Sequence, residues 1–250
     1  MKKAKVIAHR GGTKWAPENS LSAFRKSVDA GVDGIELDIQ RASTGELVVI
    51  HDSDVARTTN GVGLVKDISY NELKRLDGGS WFSKEFAGEK IPLLSEVLEV
   101  VDGKCDLNIE IKNLPYDFPG IEDDLLDLLQ SYSRPDRIII SSFDHYVLRA
   151  IHQKNPNFNM GIGLLAACLI CDIDKYATTC GAKYWHPNFE LLRQEEVAKA
   201  QAANLVVNSW TIDSPREWKR AIEMGLDGII TNDPSGLQTF LEKYASARAV

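Results

Sequence analysis

The sequence predicts an α/β fold, a closed (β/α)8 barrel. Three observations predict it. Short apolar runs alternate with amphipathic stretches from end to end, the pattern of a parallel sheet with helical crossovers. Eight such runs fit into 250 residues, the strand number and chain length of a barrel. Many of the runs end in ionisable or hydrogen-bonding residues, which a barrel would gather at one mouth. An open doubly wound sheet is the structural alternative. It calls for a glycine-rich phosphate loop after the first strand, and Gly11-Gly12-Thr13 is not that fingerprint.

The strand-like runs fall at 5–8, 34–39, 107–111, 137–141, 159–164, 183–186, 205–210 and 228–231. Apolar residues at helical spacing mark 20–30, 121–132, 145–154, 194–203, 215–224 and 234–244. An internal echo supports repeated units: Gly31-Val32-Asp33-Gly34-Ile35 returns as Gly225-Leu226-Asp227-Gly228-Ile229. Each copy follows a helical stretch and opens a strand, and its first glycine suits a left-handed helix end. One region breaks the rhythm. Residues 46–51 read as an extra strand, Trp81, Phe82 and Phe86 lie among glycines and charges, and Pro92 suits the first turn of a helix through Val101. Residues 53–104 are therefore expected to form an insertion on one βα loop of a single domain spanning 1–250. Such loops line the active face of a barrel.

Composition narrows the function classes. A hydrophobic fraction of 44% and a charged fraction of 26% are those of a globular protein. A chain this long buries roughly 70–75% of its unfolded surface and needs no covalent staple. The net charge is -7 and the basic residues are scattered, which disfavours nucleic acid and anionic membrane as partners. The longest apolar stretch, 161–171, falls short of the about 20 residues of a spanning helix. No secretory-type apolar run precedes His9. Cys105, Cys168, Cys171 and Cys180 read as buried structural thiols in a reducing cytoplasm, in preference to a redox pair or a zinc site with His186. The acidic charge neither favours nor forbids a homodimer.

The polar residues at the strand ends carry the chemistry. Side chains two apart on a strand share a face, so Glu36 points with Asp38, and Glu110 with Lys112. Three carboxylates at equivalent strand ends repel unless neutralised, and one hard divalent cation, Mg2+ or Ca2+, is the expected counter-charge. His9 and His51 are the candidate acid–base groups, since imidazole titrates near neutrality. Asp52 is placed to orient His51 or to start a turn. Arg10 and Lys112 would balance a bound anion. Asn19 and Ser20 read as caps of the helix that follows. No G-x-S-x-G elbow, P-loop or H-E-x-x-H helix is present.

These residues carry a resemblance. His9-Arg10-Gly11-Gly12, Pro17-Glu18-Asn19-Ser20, Gly34-Ile35-Glu36-Leu37-Asp38, Val49-Ile50-His51-Asp52 and Arg57-Thr58-Thr59-Asn60-Gly61 occur in order. They are followed by Ile109-Glu110-Ile111-Lys112, Ser142-Phe143, Trp210-Thr211 and Asp227-Gly228-Ile229-Ile230-Thr231-Asn232-Asp233-Pro234. Together they resemble the glycerophosphodiester phosphodiesterases over nearly the whole chain. Ser20 stands where threonine is commoner, and Asn232-Asp233 varies the usual ending. The resemblance implies a TIM barrel with a small insertion after the His-Asp motif. It implies metal-dependent hydrolysis of a small glycerophosphodiester to sn-glycerol 3-phosphate and an alcohol, through a cyclic phosphate. It assigns Glu36, Asp38 and Glu110 to the metal, His9 and His51 to acid–base catalysis, and Arg10 and Lys112 to the phosphate. Phe143, Trp185 and Trp210 would form apolar walls by the substrate, with core packing the alternative for both tryptophans. Two other functions stand beside this one: a lysophospholipase D acting on lipid-sized diesters, and a phosphate-binding barrel without turnover.

Overall fold

The computed structural model describes residues 3–154 and 159–247; residues 1–2, 155–158 and 248–250 of the expected domain lie outside it. Among the described residues nine strands form one sheet, and eight of them close it. In chain order these are β1 (Lys5–Ala8), β2 (Gly34–Arg41), β4 (Asp106–Ile111), β5 (Ile138–Ser142), β6 (Gly161–Ala166), β7 (Tyr184–Pro187), β8 (Val206–Ser209) and β9 (Gly228–Thr231). All neighbours around the ring are parallel, and β1 closes it by pairing with both β2 and β9. β3 (Leu47–Val49) is the extra strand and runs antiparallel along β2. The expected barrel is therefore present, with strand ends shifted by at most two residues.

Helices fill the crossovers: α1 (Leu21–Asp29), α4 (Ile121–Leu129), α5 (His145–Lys154), α7 (Gln194–Ala202), α8 (Pro215–Glu223) and α9 (Pro234–Ser246). α6 (Ile173–Cys180) was not expected from the periodicity. Its buried face consists of Ile173, Ala177 and Cys180, one large apolar residue and two small ones. That is a weak hydrophobic signal for a real helix. Short α2 (Tyr70–Leu73) and α3 (Leu94–Val101) lie between β3 and β4.

Strand parity divides the side chains between two layers. Leu37, Leu107, Ile109, Ile140, Leu164 and Val207 face out and pack with the helices in one continuous core. Residues of the opposite parity face in. Asn108, Ile139, Tyr184, Val206 and Asn208 line a cavity of about 90 Å³ inside the barrel. His186 also faces in, with Asn208 Nδ2 at 3.2 Å from its Nε2, and burial pushes its pKa down to about 3.

The repeated Gly-x-Asp-Gly-Ile segment proves to be a joint. Gly31 and Gly225 end α1 and α8 at φ +64° and +78°, a conformation that costs a side chain but not glycine. Two residues later each aspartate ties itself to the preceding barrel strand. Asp33 accepts the Val6 N–H at 2.8 Å and Asp227 the Val207 N–H at 2.9 Å.

The segment expected as an insertion splits in two. α3 belongs to the outer ring: Leu94, Val97, Leu98 and Val101 join the main core. The stretch before it builds a separate small core from Ala42, Val48, Ile50, Val55, Val65, Leu73 and Ile91. Gln40, inward-facing on β2, donates from Nε2 to the carbonyls of Ile50, His51 and Asp52 at 3.2, 3.1 and 2.7 Å. It fixes the backbone where this stretch leaves the barrel.

Candidate active site

Glu36 and Asp38 share the inner face of β2, and Glu110 sits beside Asp38 in the register of β4. All three are buried, and a ligand atom from each lies within 4.8 Å of the others. Burial and the charges of Asp38 and Glu110 hold the Glu36 carboxyl well above the usual carboxylate range. Glu110 is pushed up to about 7, again first by burial, with Lys112 opposing and Asp38 adding. Burial would raise Asp38 too, but Lys112 and Arg10 outweigh it and hold that group well below its ordinary value. Asp38 Oδ1 is buried without a hydrogen-bond partner. Crowded, desolvated oxygen donors with an unspent lone pair fit a hard divalent cation such as Mg2+ or Ca2+. This is the group of residues with metal-binding geometry among the described residues.

Two cations brace the cluster. Lys112 Nζ lies 2.6 Å from Glu110 Oε1 and 3.4 Å from Asp38 Oδ1. Arg10 donates its backbone N–H to Glu36 Oε2 at 2.9 Å and its NH1 to Glu18 Oε1 at 2.8 Å. Its Nε, 3.4 Å from Asp38 Oδ2, is buried with no hydrogen-bond partner. Arginine therefore keeps a donor in reserve at the site.

Both histidines are anchored through Nδ1. His9 Nδ1 lies 2.7 Å from Asn232 Oδ1. The Asn232 amide is oriented by Asp213, whose Oδ2 accepts its Nδ2–H at 2.7 Å, so the oxygen faces His9 and the ring donates. That leaves the His9 Nε2 lone pair free, 3.9 Å from Glu36 Oε2. His51 Nδ1 lies 2.6 Å from Asp52 Oδ1, and a carboxylate only accepts, so this ring donates too. Burial, then Arg10, lowers the His9 pKa to about 4; burial, with Arg10 and Lys112 adding, also lowers that of His51.

Phe143, just beyond β5, and Trp210, just beyond β8, meet edge to face at 5.6 Å over the mouth. Trp185 is not with them. Its strand neighbours Tyr184 and His186 face into the barrel, so Trp185 faces out. It is 1% exposed and packed with Leu164 and Val207 beneath the helices. The packing alternative holds for it.

Other placements differ from the sequence reading. Ser20 does cap α1, accepting the Ala23 N–H, but Asn19 does not cap. Asn19 turns in at φ +57° and donates Nδ2–H to Asp38 Oδ2 at 2.8 Å. Cys105 and Cys180 are buried, whereas Cys168 and Cys171 are exposed. They lie in the turn before α6, and the expected burial fails for them because only the apolar dipeptide between them, Leu169-Ile170, packs on the core and both thiols stay outside. Asn232, Asp213, Glu18 and Arg57 went unassigned. Asn232 meets His9 across 223 positions and Arg57 meets Glu18 across 39, so only the motifs that contain Asn232, Glu18 and Arg57 pointed to a role.

Ionisable side chains from several strand ends, gathered at the C-terminal mouth of a closed parallel barrel, define an enzyme by fold and site. The chain belongs to the glycerophosphoryl diester phosphodiesterase family, whose model matches residues 9–235. A glycerophosphodiester phosphodiesterase of Caldanaerobacter subterraneus is 43% identical over 242 residues, covering 96% of this chain and 99% of the relative. One from Bacillus altitudinis is 39% identical, covering 92% and 95%. Among solved structures, a phosphodiesterase of Oleispira antarctica in complex with its product sn-glycerol-3-phosphate superposes with a TM-score of 0.88 at 27% identity, covering 95% of this chain and 96% of that one.

Proposed function

We propose that this protein hydrolyses small glycerophosphodiesters to sn-glycerol 3-phosphate and an alcohol, with His9 and His51 as the acid–base pair. The observation that carries the reading is the shared arrangement of the two rings. Each is tied down by Nδ1; His9 presents Nε2 3.9 Å from Glu36, and His51 lies near enough for Asp38 to act on its charge. Glu36, Asp38 and Glu110 would hold one divalent cation, Mg2+ or Ca2+. When bound, it supplies positive charge to the phosphoryl oxygens and eases loss of a proton from an oxygen beside it.

The chain's own residues do the rest. The reserved Nε–H of Arg10 and the ammonium of Lys112 hold the phosphate oxygens and offset charge that develops on them. Phe143 and Trp210 cover the mouth and exclude water from one side. One histidine accepts the proton of the glycerol 2-hydroxyl at Nε2. The freed oxygen attacks phosphorus in line, and the other histidine donates a proton to the departing alcohol. Water then opens the cyclic phosphate with the two roles exchanged. The chain works as one catalytic unit, and the stretch after His51-Asp52 walls one side of the mouth. Exposed free thiols at Cys168 and Cys171 suit a reducing cytoplasm.

The test is a coupled assay of glycerol 3-phosphate release from glycerophosphocholine and glycerophosphoethanolamine, with Mg2+, with Ca2+ and with excess EDTA. Release with either ion and none with EDTA is expected. His51→Ala should lower kcat by about 100-fold or more and leave the calorimetric cation affinity intact. A diester lacking the 2-hydroxyl should not turn over. Release in EDTA, or a His51→Ala enzyme at the wild-type rate, would contradict the assignment.

A further inference from the structure

We propose that Arg57 is a positioning residue for the reaction: it clamps Asp52 against His51 and so fixes the ring, its tautomer and the direction of its Nε2. The proposal rests on the reading that His51 is one of the acid–base pair.

Arg57 spends all three guanidinium nitrogens on two carboxylates. NH1 and NH2 form a fork on Glu18 at 2.9 and 2.8 Å, and Nε reaches Asp52 Oδ2 at 2.5 Å. The other Asp52 oxygen is the one that takes the His51 ring N–H. Glu18 in turn accepts from Arg10, and Arg10 N–H binds Glu36. An unbroken chain therefore runs His51, Asp52, Arg57, Glu18, Arg10, Glu36. It joins a histidine on the stretch after β3 to the carboxylate cluster on the barrel.

Without Arg57, one Asp52 oxygen has only water to hold it, and the carboxylate is free to rotate away from the ring. Arg57 is the first cause of the lowered Asp52 pKa, about 2, with the bond to His51 adding to it. The backbone at His51 does not depend on Arg57, because Gln40 fixes the carbonyls of residues 50, 51 and 52. The Arg57 side chain is 44% exposed, so truncating it opens no core cavity. Its loss should loosen the ring while the fold stays intact. A lysine cannot replace it, since one ammonium does not reproduce a planar fork that spans two carboxylates.

The experiment compares Arg57→Ala, Arg57→Lys and His51→Ala in the cation-loaded enzyme. Arg57→Ala should lower kcat about 10- to 100-fold with KM and cation affinity near wild type, and ethylguanidinium should restore part of the rate. Arg57→Lys should recover little. Long-range 15N NMR of histidine-labelled protein should show one Nδ1–H tautomer for His51 in the wild type and a mixture in Arg57→Ala. A wild-type kcat in Arg57→Ala, or a loss that ethylguanidinium does not restore and that the His51 tautomer signal does not accompany, overturns the proposal. If His51→Ala itself keeps its activity, the acid–base reading fails instead, and the NMR arm still reports whether Arg57 sets the ring.

Discussion

Glu36, Asp38 and Glu110 are held within a few ångströms, yet their proton affinities diverge. Asp38 lies between Lys112 and Arg10 and stays ionised, while Glu36 and Glu110 meet more repulsion and burial than relief. A carboxyl whose folded-state pKa is raised contributes stability that is full below its ordinary value of 4.5 and is lost as pH rises through about 7. His9, His51 and His186 are lowered instead, so their contributions are lost as pH falls below 6.5. Above that pH only the carboxylates change. The metal-free protein should therefore lose melting temperature as pH rises from about 6.5 through about 7. Glu110→Gln should flatten that slope, and Mg2+ or Ca2+ should raise Tm more at the upper end than at the lower. Equal metal-induced shifts at both ends would count against the cluster as the cation site. Much of this site was legible beforehand, because two-residue spacing on a strand fixes a shared face: Glu36 with Asp38, Glu110 with Lys112. Asn232 and Arg57 were not legible. Asn232 meets His9 from 223 positions away, and Arg57 joins nearby Asp52 to Glu18, 39 positions away, in irregular backbone that no periodicity describes.

At the scale of elements, the strands were the readable part. A run such as Leu107, Ile109 and Ile111 alternating with polar or charged residues leaves one assignment open. Helices were readable where caps and stripes agree, as in α8. There Ser214 Oγ accepts the Glu217 N–H while Glu217 Oε2 accepts the Ser214 N–H, and Pro215 starts the first turn. Ser214→Ala should destabilise the protein by about 1 kcal/mol, measured by urea unfolding, with catalysis unaffected. α6 lacks such signals, whereas α3 was marked by Pro92 ahead of its apolar run and ends at Val101 as expected. Trp185 shows the limit of a residue-type argument. A tryptophan near the mouth in sequence faces the helices because its strand parity is odd relative to His186, and parity outranks side-chain identity.

The molecule as a whole has two cores of unequal size. The large one lies between barrel and helices; the small one, centred on Val48, Val65 and Leu73, holds the stretch that carries His51 and Arg57. Leu73 is fully buried in it. Leu73→Ala should cost about 2–5 kcal/mol within that stretch, so activity should fade on heating before far-UV circular dichroism reports barrel melting. Coincident loss of both signals would show that the two cores unfold as one. The barrel seam has its own consequence. β1 pairs with β9, and His9 takes its partner from Asn232 at the far side of that seam. A chain emerging from the ribosome thus exposes His9, one of the proposed acid–base pair, early and must carry it unassembled until the last strand is released. If His9 serves as proposed, catalysis is a late reporter: a ribosome stalled anywhere before residue 232 would hold most of an enzyme with none of its activity.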